Sequence, residues 1–256
     1  MINPPGPPAS QEPYSSDVPP PPPSFAPVKG RRLRPVLAIV LGVAMLGGVA
    51  AAVFLLRSSD EEKKVDSAGI PAGWTAHDIS ADGFRLGLPP GWQKVSHGEV
   101  DASLEALRQD NPDLAEQIEG QVAGSLNELV RFFAFDTRSP TLAEEFATNV
   151  NVVVEPLPAG VDFTQYLDAN LSQLRQVPRV TVTVADDNIA LPGGRAALID
   201  SVFTLNSPRG DRVIAVRQYL FMKGNRGFVL SMTTTPGHAS TYKPLWEQIA
   251  KTFEPL

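Results

Sequence analysis

The longest apolar stretch, residues 35–56 (PVLAIVLGVAMLGGVAAAVFLL), carries no charged, amide or hydroxyl side chain over 22 positions. As a helix rising 1.5 Å per residue it reaches about 33 Å, against a hydrocarbon core of about 30 Å, so it predicts a membrane span with modest tilt. Beyond it the period changes. Phe84, Leu86 and Leu88 alternate with Arg85 and Gly87, predicting a first strand between two related turns, Ile70-Pro-Ala-Gly-Trp74 and Leu88-Pro-Pro-Gly-Trp92. Asn111-Pro112 supplies an N-cap and a first-turn proline for a helix with Leu114, Ile118, Val122 and Leu126 at four-residue spacing. A second helix starts at Asp162, whose carboxylate caps while Gln165 reaches back; Phe163, Tyr166, Leu167, Leu171 and Leu174 form its buried stripe. A last helix from about Thr241 places Leu245, Ile249 and Phe253 on one face.

Between these helices the apolar period is two. Val150, Val152 and Val154 alternate in one segment, Val180, Val182 and Val184 in the next, and Ile199, Ser201, Phe203 and Leu205 in a third. Ile214, Val216, Gln218, Leu220 and Met222 follow, then Phe228, Leu230 and Met232. The connections Asn206-Ser-Pro-Arg-Gly210 and Lys223-Gly-Asn-Arg226 have hairpin length and predict antiparallel pairing of the last three strands. The fold class is therefore α+β, an antiparallel sheet packed by helices.

Twelve of the chain's 25 prolines fall in its first 35 residues, which predicts a disordered, proline-rich tail over residues 1–34. After the span at 35–56, residues 57–72 read as a linker and residues 73–256 as one globular domain. The tail is either a spacer or a docking segment with accessible hydroxyls at Tyr14, Ser15, Ser16 and Ser24. Lys29, Arg31, Arg32 and Arg34 precede the span, whereas Asp60, Glu61 and Glu62 follow Arg57. The positive-inside bias then leaves the N-terminus in the cytoplasm and exports the domain, giving a single-pass protein of the cell membrane. A cleaved signal peptide is the competing reading, because Ala50-Ala51-Ala52 fits a small-residue cleavage site. The thirty-residue leader and the continuation Val53-Phe54-Leu55-Leu56 weigh against it. Within the span, Ala44, Gly48 and Ala52 recur every four residues, a spacing through which two helices can self-associate. Alanine and glycine are common enough in spans to produce such spacings by chance.

Charge and composition narrow the function classes. Residues 1–57 carry five basic and two acidic residues, a net of +3, while the remainder holds 17 basic and 26 acidic residues, a net of −9. Nucleic-acid binding rests on neutralising phosphates, so an acidic exported domain is a poor fit and that partner class is set aside. The chain has no cysteine. That excludes disulfides, thiolate metal sites, cysteine nucleophiles and cysteine lipidation, and leaves stability to the hydrophobic core.

Four segments resemble the LpqN/PsbP-like family of exported actinobacterial proteins. They are Phe84-Arg-Leu-Gly-Leu-Pro-Pro-Gly-Trp92, Leu191-Pro-Gly-Gly-Arg-Ala196, Gly227-Phe-Val-Leu-Ser-Met-Thr-Thr234 and the closing Ile249-Ala-Lys-Thr-Phe253. The resemblance covers about Gly73 to Leu256. It implies an α/β/α sandwich around an antiparallel sheet, an exported location and a non-enzymatic accessory or binding role, with no catalytic residue to carry over. The lipobox cysteine of the family's lipoproteins is missing, and a span stands in its place.

Little in the sequence suggests catalysis. His77, His97 and His238 fall in three separate predicted turns, without the spacing of a zinc site, and read as surface or loop histidines. No metal, cofactor or catalytic residue is assigned. His77-Asp78 resembles a base with its orienting carboxylate, but neighbours in an extended segment point in opposite directions. Gly124-Ser125 is half of a nucleophile elbow set in a helical pattern. Asn170-Leu-Ser172 is a glycosylation sequon on the predicted second helix. The better candidate is a sheet face presenting Asn149, Asn151, Arg217, Tyr219, Ser231 and Thr233, with Val153 and Phe221 among them. Arg, Tyr and amides on one surface could orient a ligand carboxylate or a peptide. The alternative is that this row is solvated or covered by another helix.

The leading expectation is a bitopic membrane protein whose exported domain binds a protein partner or a small ligand, as an accessory subunit of an envelope or transport complex. A transmembrane signalling adaptor coupled to the tail is the second reading. A hydrolase assembled from distant loops is the third.

Overall fold

Two antiparallel sheets and two α-helices make up the described part of the computed structural model, which comprises residues 69–94, 130–141, 146–205 and 211–256. The proline-rich tail, the 35–56 span, the helix expected near Leu114 and Leu126, and the Asn206 to Gly210 connection lie outside these residues. Among the described residues no helix is long and apolar enough to cross a membrane.

The strands are β1 (Thr75–Ile79), β2 (Phe84–Leu88), β3 (Trp92–Lys94), β4 (Val130–Asp136), β5 (Asn149–Pro156), β6 (Val180–Leu191), β7 (Gly194–Leu205), β8 (Arg212–Lys223), β9 (Arg226–Thr234) and β10 (Glu254–Pro255). The helices are α1 (Phe163–Gln176) and α2 (Pro236–Thr252). The larger sheet has the order β3-β4-β5-β9-β8-β7-β6, and a smaller one has the order β1-β2-β10. All pairings are antiparallel, including the β7–β8–β9 succession expected from the hairpin connections. The fold is α+β.

Each face of the large sheet carries its own core. On one, Val153, Ile199, Val216, Leu220 and Val229 pack with Tyr166, Leu167, Leu171 and Leu174 of α1. On the other, Val152, Phe221, Phe228 and Leu230 meet Trp246, Ile249 and Ala250 of α2, together with Phe84 and Leu86 of the small sheet. The helices thus lie on opposite faces. β4 had no signal in the alternation because both of its faces are buried: Phe132 and Ala134 join one core, Phe133 and Phe135 the other. A doubly covered strand reads as a continuous apolar run.

α1 begins as its sequence predicts. The Asp162 carboxylate accepts from the Gln165 N–H (2.8 Å), and the Gln165 side chain accepts from the Asp162 N–H (3.0 Å), which closes a capping box. α2 begins five residues earlier than Thr241, at Pro236, with Thr235 as its N-cap residue. Pro236 costs nothing there, because a first-turn N–H has no intrahelical acceptor.

Two of the resembling segments, Leu191 to Ala196 and Ile249 to Phe253, meet in the fold. Leu191 to Ala196 forms the β6–β7 turn, and a Cβ at Gly193 would overlap the carbonyl oxygen of Phe253, the C-cap residue of α2. Thr252 accepts from the Gly87 N–H (2.9 Å), and the Leu256 N–H donates to the Gly83 carbonyl (2.7 Å), so the chain end is stitched onto β2. Gly193→Ala is therefore expected to lower folding stability by about 2 kcal/mol, since backbone rather than a movable side chain must give way. Urea denaturation of the isolated domain checks this, with Gly160→Ala, where a Cβ meets nothing within 4 Å but φ is +84°, as the comparison for backbone strain alone.

Candidate functional site

The six residues expected on one face divide between two. In the β8–β9 hairpin, the two-residue turn Gly224-Asn225 pairs Lys223 with Arg226, which carries Gln218 to Ser231 and Arg217 to Met232. On the other flank of β9, Asn149 pairs with Thr233 and Asn151 with Ser231. Partners across a ladder share a face. Hence Asn149, Asn151, Ser231 and Thr233 lie together on the α1 side with Val153, whereas Arg217, Tyr219 and Phe221 lie on the α2 side. The alternation expected for β5, β8 and β9 holds but β8 takes the opposite phase, and in β6 the expected row Val180, Val182 and Val184 breaks where the register shifts after Val182, leaving Val184 45% exposed. The two-residue turn was the signal that could have corrected the β8 phase.

On the α2 side Arg217 is not available to a ligand carboxylate. Its Nε and Nη2 donate to Asp200 at 2.8 and 2.6 Å, and its Nη1 reaches Glu247 of α2 at 3.1 Å. The side chain is 5% exposed, and its guanidinium is held by carboxylates from the adjacent strand and the covering helix. Tyr219, also buried, packs in the same core, and burial pushes its phenol above the ordinary range.

The α1 side is different. Its β5 column, Asn149, Asn151 and Val153, continues into two transverse rows: Asn149, Thr233, Val216 and Ser201, then Asn151, Ser231, Gln218 and Ile199. Gln218 and Ser201, unremarked in the sequence, thereby join the predicted residues. No charged side chain stands in either row. Asn149 is fully buried and Asn151 2% exposed, yet the Oδ1 of each has no hydrogen-bond partner, nor has the Ser201 Oγ. The pairs that do form are Asn149 Nδ2 to the Ala147 carbonyl (3.0 Å) and Gln218 Nε2 to Ser231 Oγ (3.2 Å). Leaving a buried acceptor unpaired costs about 1–3 kcal/mol. Asn149 and Asn151 are two residues apart on one strand, about 7 Å, so they present two acceptors to one occupant.

A second polar cluster escaped the sequence reading because its members come from four segments. The Tyr242 hydroxyl of α2 donates to Asp136 Oδ2 (2.8 Å) and lies 2.9 Å from Ser139 Oγ. Ser139, Thr141, Thr148 and Thr234 extend the network through contacts of 2.6–3.0 Å. These hydroxyls are buried and mutually engaged, so the network fastens α2 to the end of β4, to Thr148 just before β5, and to β9.

Of the histidines, His238 is half-buried in the first turn of α2, and His97 lies outside the described residues. His77 corrects the surface assignment. It stands on β1, buried edge-on against Phe132 with ring centroids 5.2 Å apart. Burial, assisted by the Lys94 charge, lowers its pKa to about 4. Its neighbour Asp78 points outward, where Oδ1 accepts from the Ser80 N–H (2.9 Å), so the two form no base and orienter pair. The sequon residue Asn170 lies on α1 and donates to the Tyr166 carbonyl.

No family model matches the sequence, and no curated protein matches it. Among solved structures, it is similar to cyanobacterial PsbP (CyanoP) from Synechocystis sp. PCC 6803, at 12% identity over 76% of this chain and 98% of that one, with a TM-score of 0.48. It is also similar to LpqN, involved in cell envelope biogenesis of Mycobacterium tuberculosis, at 12% identity over 67% and 82% of the chains, with a TM-score of 0.42. The Saccharomyces cerevisiae Ran-binding protein Mog1p matches at 10% identity over 71% and 95%, with a TM-score of 0.41. The neighbours include both a PsbP and LpqN. These are the two names carried by the family that the sequence resembles.

Proposed function

We propose that residues 73–256 form a non-catalytic binding domain, carried outside the cell membrane on the 35–56 span, and that the domain works as an accessory component of an envelope or transport complex. Its recognition element is the α1-side column of Asn149 and Asn151 with Ser231 and Thr233 beside it. The observation that carries this reading is the pair of buried, unpaired Oδ1 atoms on one strand. Stability alone selects against such atoms, because an apolar side chain of similar shape would remove the cost. A ligand or partner group that donates hydrogen bonds offsets it. The acceptors are enclosed, so the occupant inserts a group into the domain rather than lying across its surface.

The test is crosslinking in native membranes followed by recovery through the full-length chain. Asn149→Leu with Asn151→Leu is expected to abolish the crosslinked species that the wild-type chain yields. Arg217→Ala is expected to leave it intact. Equal recovery from the asparagine variant would contradict the site. The +3 proline-rich tail favours a second reading, a signalling adaptor. Deleting residues 2–28 discriminates: full complementation without them leaves the extracytoplasmic role alone.

A further inference from the structure

One buried acid has no part in the recognition column. Glu155 sits near the end of β5, on the same face as Asn149, Asn151 and Val153, beneath α1. It is 9% exposed. The group facing it from α1 is the Tyr166 hydroxyl, itself buried, and Asn170 stands one turn further along. From β9 its ladder partner is Gly227, which has no side chain to offer. That glycine makes the room: a Cβ there would lie 2.7 Å from the Tyr166 ring. Glu155 Oε1 and the Tyr166 hydroxyl make no hydrogen bond of ordinary geometry, and the pull of that hydroxyl toward the ionised acid is outweighed by burial, which favours the neutral acid.

The cations nearest in the strand registers are turned elsewhere. Arg131 of β4 pairs with Asp82 Oδ1 (3.3 Å), Arg226 donates to the Asp82 carbonyl (3.3 Å), and Lys223 donates to the Pro255 carbonyl (3.0 Å). Among the described residues, then, Glu155 has an aromatic hydroxyl, a glycine and apolar side chains around it, and no counter-charge. A carboxylic acid is at home in such a site; a carboxylate is not.

We propose that Glu155 is a proton-operated latch for α1: neutral, it lets Tyr166 seat in the Gly227 cradle, and ionised, it loosens the helix from the sheet. Burial holds the Glu155 pKa up, at about 7, so the latch works near neutrality. An exported domain meets the acidity of its surroundings directly, and this device would couple that acidity to the exposure of the α1 side of the sheet. It stands whether or not the asparagine column binds a ligand.

Hydrogen exchange of the α1 amides, measured from pH 4.5 to 8 and expressed as protection relative to α2, tests the latch in the intact domain. Correction for intrinsic exchange removes the trivial pH dependence. The expected result is an α1 protection that falls by up to about tenfold per unit as pH rises from 4.5 to 7 and levels off above, while Glu155→Gln stays flat across the range. A constant α1-to-α2 ratio in the wild type, or a fall that persists in Glu155→Gln, would overturn it. Carbon-13 titration of the wild-type Glu155 carboxyl is independent of any variant's folding. A midpoint near 4.5 rather than near 7 would overturn the proposal equally.

Discussion

Arg217→Ala is expected to cost the domain about 3 kcal/mol of folding stability, while leaving partner recovery unchanged. Breaking a buried ion pair from one side typically costs about 3–5 kcal/mol, because the remaining charge stays behind without its partner. The lower end applies here: Asp200 and Glu247 are 22% and 45% exposed at their side chains, so water takes over part of the lost interaction. The geometry is nonetheless demanding. Two parallel bonds to Asp200 tie β8 to β7, and the bond to Glu247 ties both strands to α2. Removing the arginine and the Asp200 charge together, as Arg217→Met with Asp200→Asn, should recover much of the loss. Urea denaturation of wild type and the two variants reads both losses. A single-variant loss under about 1 kcal/mol would place Arg217 among ordinary surface pairs.

The pH dependence of stability should be unusually flat, and two substitutions should unmask opposing slopes. His77 has a folded pKa of about 4, below the ordinary histidine value of 6.5. Its stabilising contribution is full above pH 6.5 and is lost as pH falls toward 4, because the unfolded chain takes up the proton first. Glu155 has a folded pKa of about 7, above the ordinary glutamate value of 4.5. Its contribution is full below pH 4.5 and is lost as pH rises toward 7, because the unfolded chain releases the proton first. Each term amounts to about 3 kcal/mol at 1.36 kcal/mol per unit. Between pH 4.5 and 6.5 the two slopes are opposite in sign and similar in size, so they nearly cancel. In Glu155→Gln the histidine term stands alone, and stability should fall by about 3 kcal/mol from pH 6.5 to 4, relative to wild type. In His77→Leu the glutamate term stands alone, and stability should fall from pH 4.5 to 7. Chemical denaturation across pH 4–8 reads both, and parallel profiles for the three proteins would contradict the assignment.

What the sequence disclosed depended on whether the physics was local. α1 was legible because its cap, its box partner and its apolar stripe all lie within fifteen residues. β7, β8 and β9 were legible because each alternates and because short turns join them. β4 was not, since Val130 to Asp136 is covered on both faces and period-two contrast disappears. The start of α2 was missed because a Pro-Gly pair reads as a break, although proline suits a first turn. The candidate site needed something non-local, the phase between neighbouring strands. Pairing Lys223 with Arg226 sends Arg217 and Tyr219 to the α2 face and brings Gln218 beside Ser231 instead. His77 shows the same limit. Thr75, His77 and Ile79 alternate, but only the contact with Phe132, more than fifty residues away, makes the histidine a core residue.

The binding assignment rests on Asn151 carrying an acceptor that the fold itself leaves unused, and Asn151→Leu tests that most directly. The substitution keeps the approximate shape and removes the unpaired Oδ1, so the urea midpoint of the ligand-free domain should rise, by about 1–2 kcal/mol in stability. The same variant should lose partner crosslinking in native membranes. A stability gain accompanied by lost recovery is the signature of a residue kept for recognition. A fall in stability would mean that Asn151 Oδ1 is satisfied within the folded chain and would contradict the proposed site.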